Sequence, residues 1–262
     1  MVLWEPPQTL GAILMSDLSQ TCHIQQVQEG LTLTQLLNLA EHLAELHNAF
    51  LAIPDLQRNE LEQKFSPYEG CIDFQVNHII PKAVEIAKKH PKHFQDKLDP
   101  ILSLLQNPEY HRYTAGTISE ALNLPRVLVH GDLWSLNILW TNENPSQVGA
   151  FLDWQGHMIG SLAFDLSTLL ILCTSTQIRR THQNNVISRY YSRLHNPSFS
   201  QATVIQAVNK TAPYTAAHMM FGISLLEARL TPQDLEEMLS RASAALDDVI
   251  VVYVTSCAQK KT

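Results

Sequence analysis

The stretch His130-Gly131-Asp132-Leu133-Trp134-Ser135-Leu136-Asn137, taken up again by Asp153-Trp154-Gln155, decides how this chain is read. It sits where the hydrophobic period changes. Arg126-Val127-Leu128-Val129, Ile138-Leu139-Trp140 and Val148-Gly149-Ala150-Phe151-Leu152 are short runs with the residue types that favour strands, and the last two flank the turn formers Thr141-Asn142-Glu143-Asn144-Pro145. Three short strands are predicted. Asn137 then opens the second strand and Asp153 ends the third, so a hairpin would bring both to the same rim.

Working outward, the flanks read as helix. Thr32 with Gln35 fits a capping box, and Leu33, Leu36, Leu37, Ala40, Leu43, Ala44 and His47 follow at helical offsets on one core face. Pro54 and the polar segment 58–64 end that helix, and further helical patterns run from about Asp73 to Lys89 and from Gln95 to Gln106. After Gly160 the chain reads as helical to its end. Thr231 as N-cap and Pro232 at the first helical position open the last helix, whose stripe runs through Leu235, Met238, Leu239, Ala242, Leu246, Val249, Ile250 and Tyr253. Upstream, Gly11 to Leu18 is an apolar run that suits a strand leading into a connector. The predicted class is mainly α with a small β element, an α+β lobe without internal repeat.

Composition bounds the function. The 262 residues carry a formal charge of −7, with 45% hydrophobic and 16% charged residues, as in ordinary globular proteins. The acidic balance disfavours nucleic acid, since the one Lys-dense stretch, Lys82 to Lys97, is short and contains Glu85 and Asp96. No apolar run reaches the roughly 18 residues of a membrane span, and no secretory signal is visible. A cytoplasmic protein without a membrane partner is expected. Cys22, Cys71, Cys173 and Cys257 show no metal or haem spacing and read as buried free thiols.

The spacing around Asp132 matches the needs of phosphoryl transfer: one carboxylate to accept the proton of an attacking hydroxyl, and hard oxygen ligands to hold Mg²⁺ on the phosphates. Asp132 stands five residues before Asn137, and Asp153 follows across the hairpin. His130 to Trp140, then Leu152-Asp153-Trp154-Gln155, Gly160 and Asp165-Leu166, resemble the choline kinase-like (CHK) and ecdysteroid kinase-like branch of the aminoglycoside phosphotransferase superfamily. The resemblance implies the C-terminal lobe of a protein-kinase-like fold and ATP-dependent phosphorylation of a small-molecule alcohol. It implies Asp132 as catalytic base, Asn137 and Asp153 as Mg²⁺ ligands, and His130 and Asp165 as supports of the loop. Weaker matches at Met15, Ser16 and Asp17 imply the nucleotide hinge, although Ser16 stands where relatives commonly have Glu. The resemblance divides the chain into a hinge strand and connector over 1–31 and the kinase-like lobe over 32–262.

Other parts of that family's pattern are not found. The nine glycines form no G-x-G-x-x-G and no G-x-x-x-x-G-K, and the first Lys or Arg is Arg58, so neither the phosphate-cradling loop nor the strand Lys is present. Two hypotheses stand: a small-molecule kinase using ATP and Mg²⁺, and a truncated, non-catalytic lobe that binds only a ligand or partner. With most of the N-lobe absent, the surface that would face it is expected to self-associate. Blander roles compete at several residues. His47 reads as a satisfied core histidine, His157 as a solvated loop histidine, and Trp134 and Trp154 as packing or pocket lining.

Overall fold

The computed structural model describes residues 15–67 and 69–259, with side chains through Tyr253. Met15 to Asp17 are exposed and without regular structure, and a turn then leads into β1 (Cys22–Ile24). The strand expected over Gly11 to Leu18 is therefore not formed from Met15 onward, and Gly11 to Leu14 lie outside the described residues. Thr32 caps α1 (Leu33–Leu51) through the expected box: its hydroxyl accepts from Gln35 N while the Gln35 side chain takes the Thr32 N–H. Leu36, Leu39, Ala40, Leu43 and Ala44 are buried along its core face.

α1 ends before Pro54 as expected, and the polar segment that follows forms α2 (Asp55–Phe65), with no buried residue. Then come α3 (Glu69–Phe74), a π-helical turn over Gln75–Ile79 and α4 (Ile80–Lys89). Short helices follow: α5 (Pro91–Phe94), α6 (Asp99–Leu105), α7 (Pro108–Arg112), a second π-helical turn over Tyr113–Thr117, and α8 (Ile118–Ala121).

The central strands fall where the sequence puts them. β2 (Arg126–Val129), β3 (Ile138–Thr141) and β4 (Val148–Phe151) form as expected, with a bulge where the β3–β4 register shifts between Leu139 and Trp140. β5 (Met158–Ser161) was not foreseen. All four of its residues are buried, so it shows no alternation and runs directly into the apolar helix that follows. β2 pairs antiparallel with β5, and β1, β3 and β4 make a second antiparallel sheet in the order β1-β3-β4. Gly160 of β5 is forced by this packing, because a Cβ there would lie 2.3 Å from Ala115 O in the second π-helical turn.

The remainder is helical: α9 (Ala163–Leu172), α10 (Thr176–Arg193), α11 (Gln201–Leu226) and α12 (Pro232–Gln259). α11 packs on α4, α9 and α12, and α10 on α1. Pro213 interrupts the hydrogen-bond ladder inside α11. The Tyr110 hydroxyl fills the gap, donating to Lys210 O at 2.9 Å and accepting from Tyr214 N at 3.2 Å. Arg241, 1% exposed, ties α12 to distant segments by donating from Nη1 to Val27 O and from Nη2 to Leu172 O. The expectation for the cysteines needs correction, since Cys173 is buried but Cys22 and Cys71 are only half-buried. Among the described residues no helix is long and apolar enough to cross a membrane.

Candidate active site

The loop between β2 and β3 is held from beneath by one carboxylate. Asp165, buried in the first turn of α9, accepts from His130 N at 2.8 Å and Gly131 N at 3.1 Å. Burial pushes its carboxyl up to about 6, against the pull of those two backbone donors. His130 is buried too. Its Nε2 donates to Leu152 O at 2.8 Å, while Nδ1 accepts from Asp132 N at 3.3 Å, which defines a neutral imidazole joining the loop to the end of β4. Burial lowers its pKa, consistent with that tautomer.

Gly131 is needed for a different reason. With φ at +83°, it lies so close to the turn after Asp153 that a Cβ would sit 2.0 Å from Gly156 O. Asp153 itself is left-handed, at φ 58° and ψ 63°, a conformation that costs energy in a residue with a Cβ and marks functional turns in many proteins. The close approach seats that turn on the loop.

Asn137 completes the cluster. Its Nδ2 donates to Asp132 O at 2.8 Å and to Asp132 Oδ2 at 3.0 Å, so its Oδ1 remains as an acceptor. Leu152 N donates to Asn137 O at 2.8 Å, which puts Asp153 beside Asn137 at one end of the hairpin. Asp132 has its pKa raised, first by burial and further by the Asp153 charge, with the Asn137 hydrogen bond opposing. Asn137 Oδ1 and the Asp153 carboxylate are hard oxygen donors of the kind that suits Mg²⁺ with waters completing its shell. No group of three or more His, Cys, Asp or Glu side chains among the described residues is arranged to hold a metal unaided.

The structure therefore brings five of the predicted residues together: His130, Asp132, Asn137, Asp153 and Asp165. Met15, Ser16 and Asp17 do not join them. Their segment enters β1 at the Thr141 end of β3, opposite Asn137, and Asp17 accepts locally from Ser19 N. Trp134 lines a cavity beside Asp132, whereas Trp154 packs on His130 with ring centres 4.6 Å apart. His157 is exposed and lies against Phe65. His47 is a core residue bonded to the Tyr190 hydroxyl at 2.7 Å.

Sequence reasoning missed the cavity itself, about 350 Å³ with Asp132 in its lining. Its walls come from the first π-helical turn and from α11, where Gln75 pairs with His218 at 2.6 Å. One legible signal existed: Gly222, an isolated glycine within a long helical pattern, lines the same space.

The family described as "Uncharacterized oxidoreductase dhs-27", DUF1679, matches residues 5–256. A Caenorhabditis elegans protein of that same description is 26% identical over 197 residues, covering 73% of this chain and 23% of that protein. A second protein from that organism, described as "Uncharacterized kinase-like protein D1044.1", is 24% identical over 239 residues, covering 84% of this chain and 61% of the relative. The chain thus spans under a quarter of the first relative and about three-fifths of the second. A solved structure, Plasmodium vivax ethanolamine kinase, aligns with a TM-score of 0.41 at 18% identity over 83% of this chain and 60% of that one. The kinase-like relative and the α+β architecture agree with the kinase-like resemblance of residues 130–166.

Proposed function

We propose that this chain, which belongs to the family described as "Uncharacterized oxidoreductase dhs-27" (DUF1679), is the kinase-like lobe of a phosphotransferase that acts on a hydroxyl of a small molecule. One observation carries the reading: the Asp132 carboxylate is bonded to the Asn137 amide, coupled to Asp153, and placed in the wall of a cavity that can admit a substrate. Dinucleotide-dependent redox chemistry has no such support in the sequence, which lacks the Gly-rich fingerprint.

In this reading Asp132 accepts the proton of the substrate hydroxyl as its oxygen attacks the γ-phosphorus of ATP and the bond to the β-phosphate oxygen breaks. A carboxylate made more basic by burial suits the task, and the Asn137 N–H keeps it aimed. Asn137 Oδ1 and Asp153 would hold Mg²⁺, which supplies charge neutralisation at the phosphates when bound. His130 and Asp165 position the loop, since neither reaches the cavity lining.

The test is Mg²⁺-dependent transfer from ATP labelled in its γ-phosphoryl group to a panel of neutral and cationic alcohols, in wild type and Asp132→Asn. General-base assistance is typically worth 10²–10⁴-fold, so at least a hundredfold loss of turnover is expected with nucleotide affinity little changed. Equal turnover in the variant would remove Asp132 from the chemistry.

A further inference from the structure

A second cavity, of about 300 Å³, lies among α9, α10, α11 and α12 and shares no lining residue with the one beside Asp132. Its charges are arranged by depth. Arg180, 51% exposed, pairs with Asp248 Oδ1 at 2.8 Å, while Arg179, 4% exposed, donates from Nη2 to Oδ2 of the same carboxylate at 2.8 Å. Two guanidinium groups against one carboxylate leave these walls with a net charge of +1.

Arg179 Nη1 is buried without a hydrogen-bond partner among the described residues. A guanidinium cannot shed its proton, so the cost of an unmade charged donor persists at every pH the fold meets. The neighbouring charges do not relieve it. Arg241 is a second buried cation, its pKa lowered first by burial and further by the Arg179 charge, and the Asp247 carboxylate is held by Lys97 at 2.8 Å. Gln183, one turn after Arg179 in α10, and Asn209 of α11 add amide groups to the walls. The rest of the lining is apolar, with Leu170, Ile171, Val208 and Val249 inside and Val251 exposed to solvent.

We propose that this cavity binds an amphipathic monoanion, a carboxylate with a short aliphatic tail, whose head accepts from Arg179 Nη1 and whose tail lies on Leu170, Val208 and Val249. A carboxylate meets a guanidinium through charge-assisted hydrogen bonds, and its single charge cancels the +1 of the walls. A phosphate dianion would leave the cavity negative beside Asp248, and a neutral head would leave the buried charge uncompensated. The tail gains from removal of its surface from water. The site involves none of the residues of the phosphotransferase reading and stands apart from it.

The experiment is calorimetric titration of the full chain with octanoate, 1-octanol and acetate at physiological salt. Octanoate should bind roughly tenfold or more tightly than octanol, which lacks the charge, and than acetate, which lacks the tail. Arg179→Gln should weaken octanoate by a similar factor. Because that substitution also breaks the buried pair with Asp248, Ala212→Leu is the second variant: it narrows the cavity without removing a charge, and should weaken octanoate about tenfold while the melting temperature holds. Failure of octanoate to bind, binding no tighter than that of octanol or acetate, or undiminished binding by folded Ala212→Leu would each overturn the proposal.

Discussion

Replacing Gly131 by alanine tests the contact on which the site depends. The added methyl would stand 2.0 Å from Gly156 O and 2.7 Å from Gly156 C, both backbone atoms that no rotamer change can move. Relief requires the loop and the 153–156 turn to separate by about 1 Å, the kind of overpacking that costs about 1–3 kcal/mol. The positive φ adds about 1–2 kcal/mol for any residue with a Cβ. Together the substitution should destabilise by roughly 2–5 kcal/mol, a large part of the 5–15 kcal/mol typical of a folded domain. Urea unfolding reads this directly, and Gly222→Ala is the internal control. Its Cβ enters open space within a helix, so it should stabilise by about 0.5–1 kcal/mol. If Gly131→Ala unfolds within 0.5 kcal/mol of wild type, the loop and the turn are not in contact, and the placement of Asp153 on the loop fails with it.

Further outcomes follow from buried polar groups. Burial raises the Asp165 carboxyl from an ordinary 3.8 to about 6, so the folded state holds the proton more tightly and this group's stabilisation is lost as pH rises from 3.8 through 6. Asp165→Ala should therefore cost about 2 kcal/mol more at pH 4.5 than at pH 7.5 by urea midpoints, and a pH-independent difference would refute the buried carboxylate. His47 has the opposite sign: burial lowers it from 6.5 to about 3, so its contribution is present above 6.5 and lost on acidification. His47→Gln should flatten the acid limb by about 1.4 kcal/mol per pH unit between 6.5 and 3, as seen in unfolding curves at stepped pH. Tyr110→Phe should leave Tyr214 N and Lys210 O unpaired at the Pro213 gap and cost about 1–3 kcal/mol, with faster amide exchange at Tyr214. Unchanged exchange there would show that the hydroxyl does not bridge the helix.

What the sequence disclosed and what it hid have physical causes. Local signals held: the Thr32–Gln35 box, the Thr231-Pro232 start and the hairpin about Asn142 are each set by residues within a few positions of one another. His130, Asp132, Asn137 and Asp153 were legible because the short loop and the β3–β4 hairpin tie their spacing in sequence to their spacing in space, whereas Asp165, in α9, was legible only through the resemblance. β5 was lost because burial on both faces erases the period of two. β1 has only three residues, drawn into a strand by β3 and not by its own pattern. Segment 55–65 forms a helix without an apolar stripe, leaving no amphipathic signal to read. Neither π-helical turn has a sequence signature, and the cavity they flank arises where Gln75 and His218, 143 residues apart, are packed together.

The Arg241 tie also sets an order on the birth of the protein. Its guanidinium closes onto Val27 O across 214 residues, and a ribosome adding about 5–20 residues per second needs roughly 10–40 s to cover that distance. During that interval the carbonyls of Val27 and Leu172 await their donor, and the face that will receive Ala242 and Leu246 stays open to water. Nascent chains halted before α12 emerges should bind chaperones that recognise apolar surface, and release should coincide with the arrival of residue 241 outside the exit tunnel.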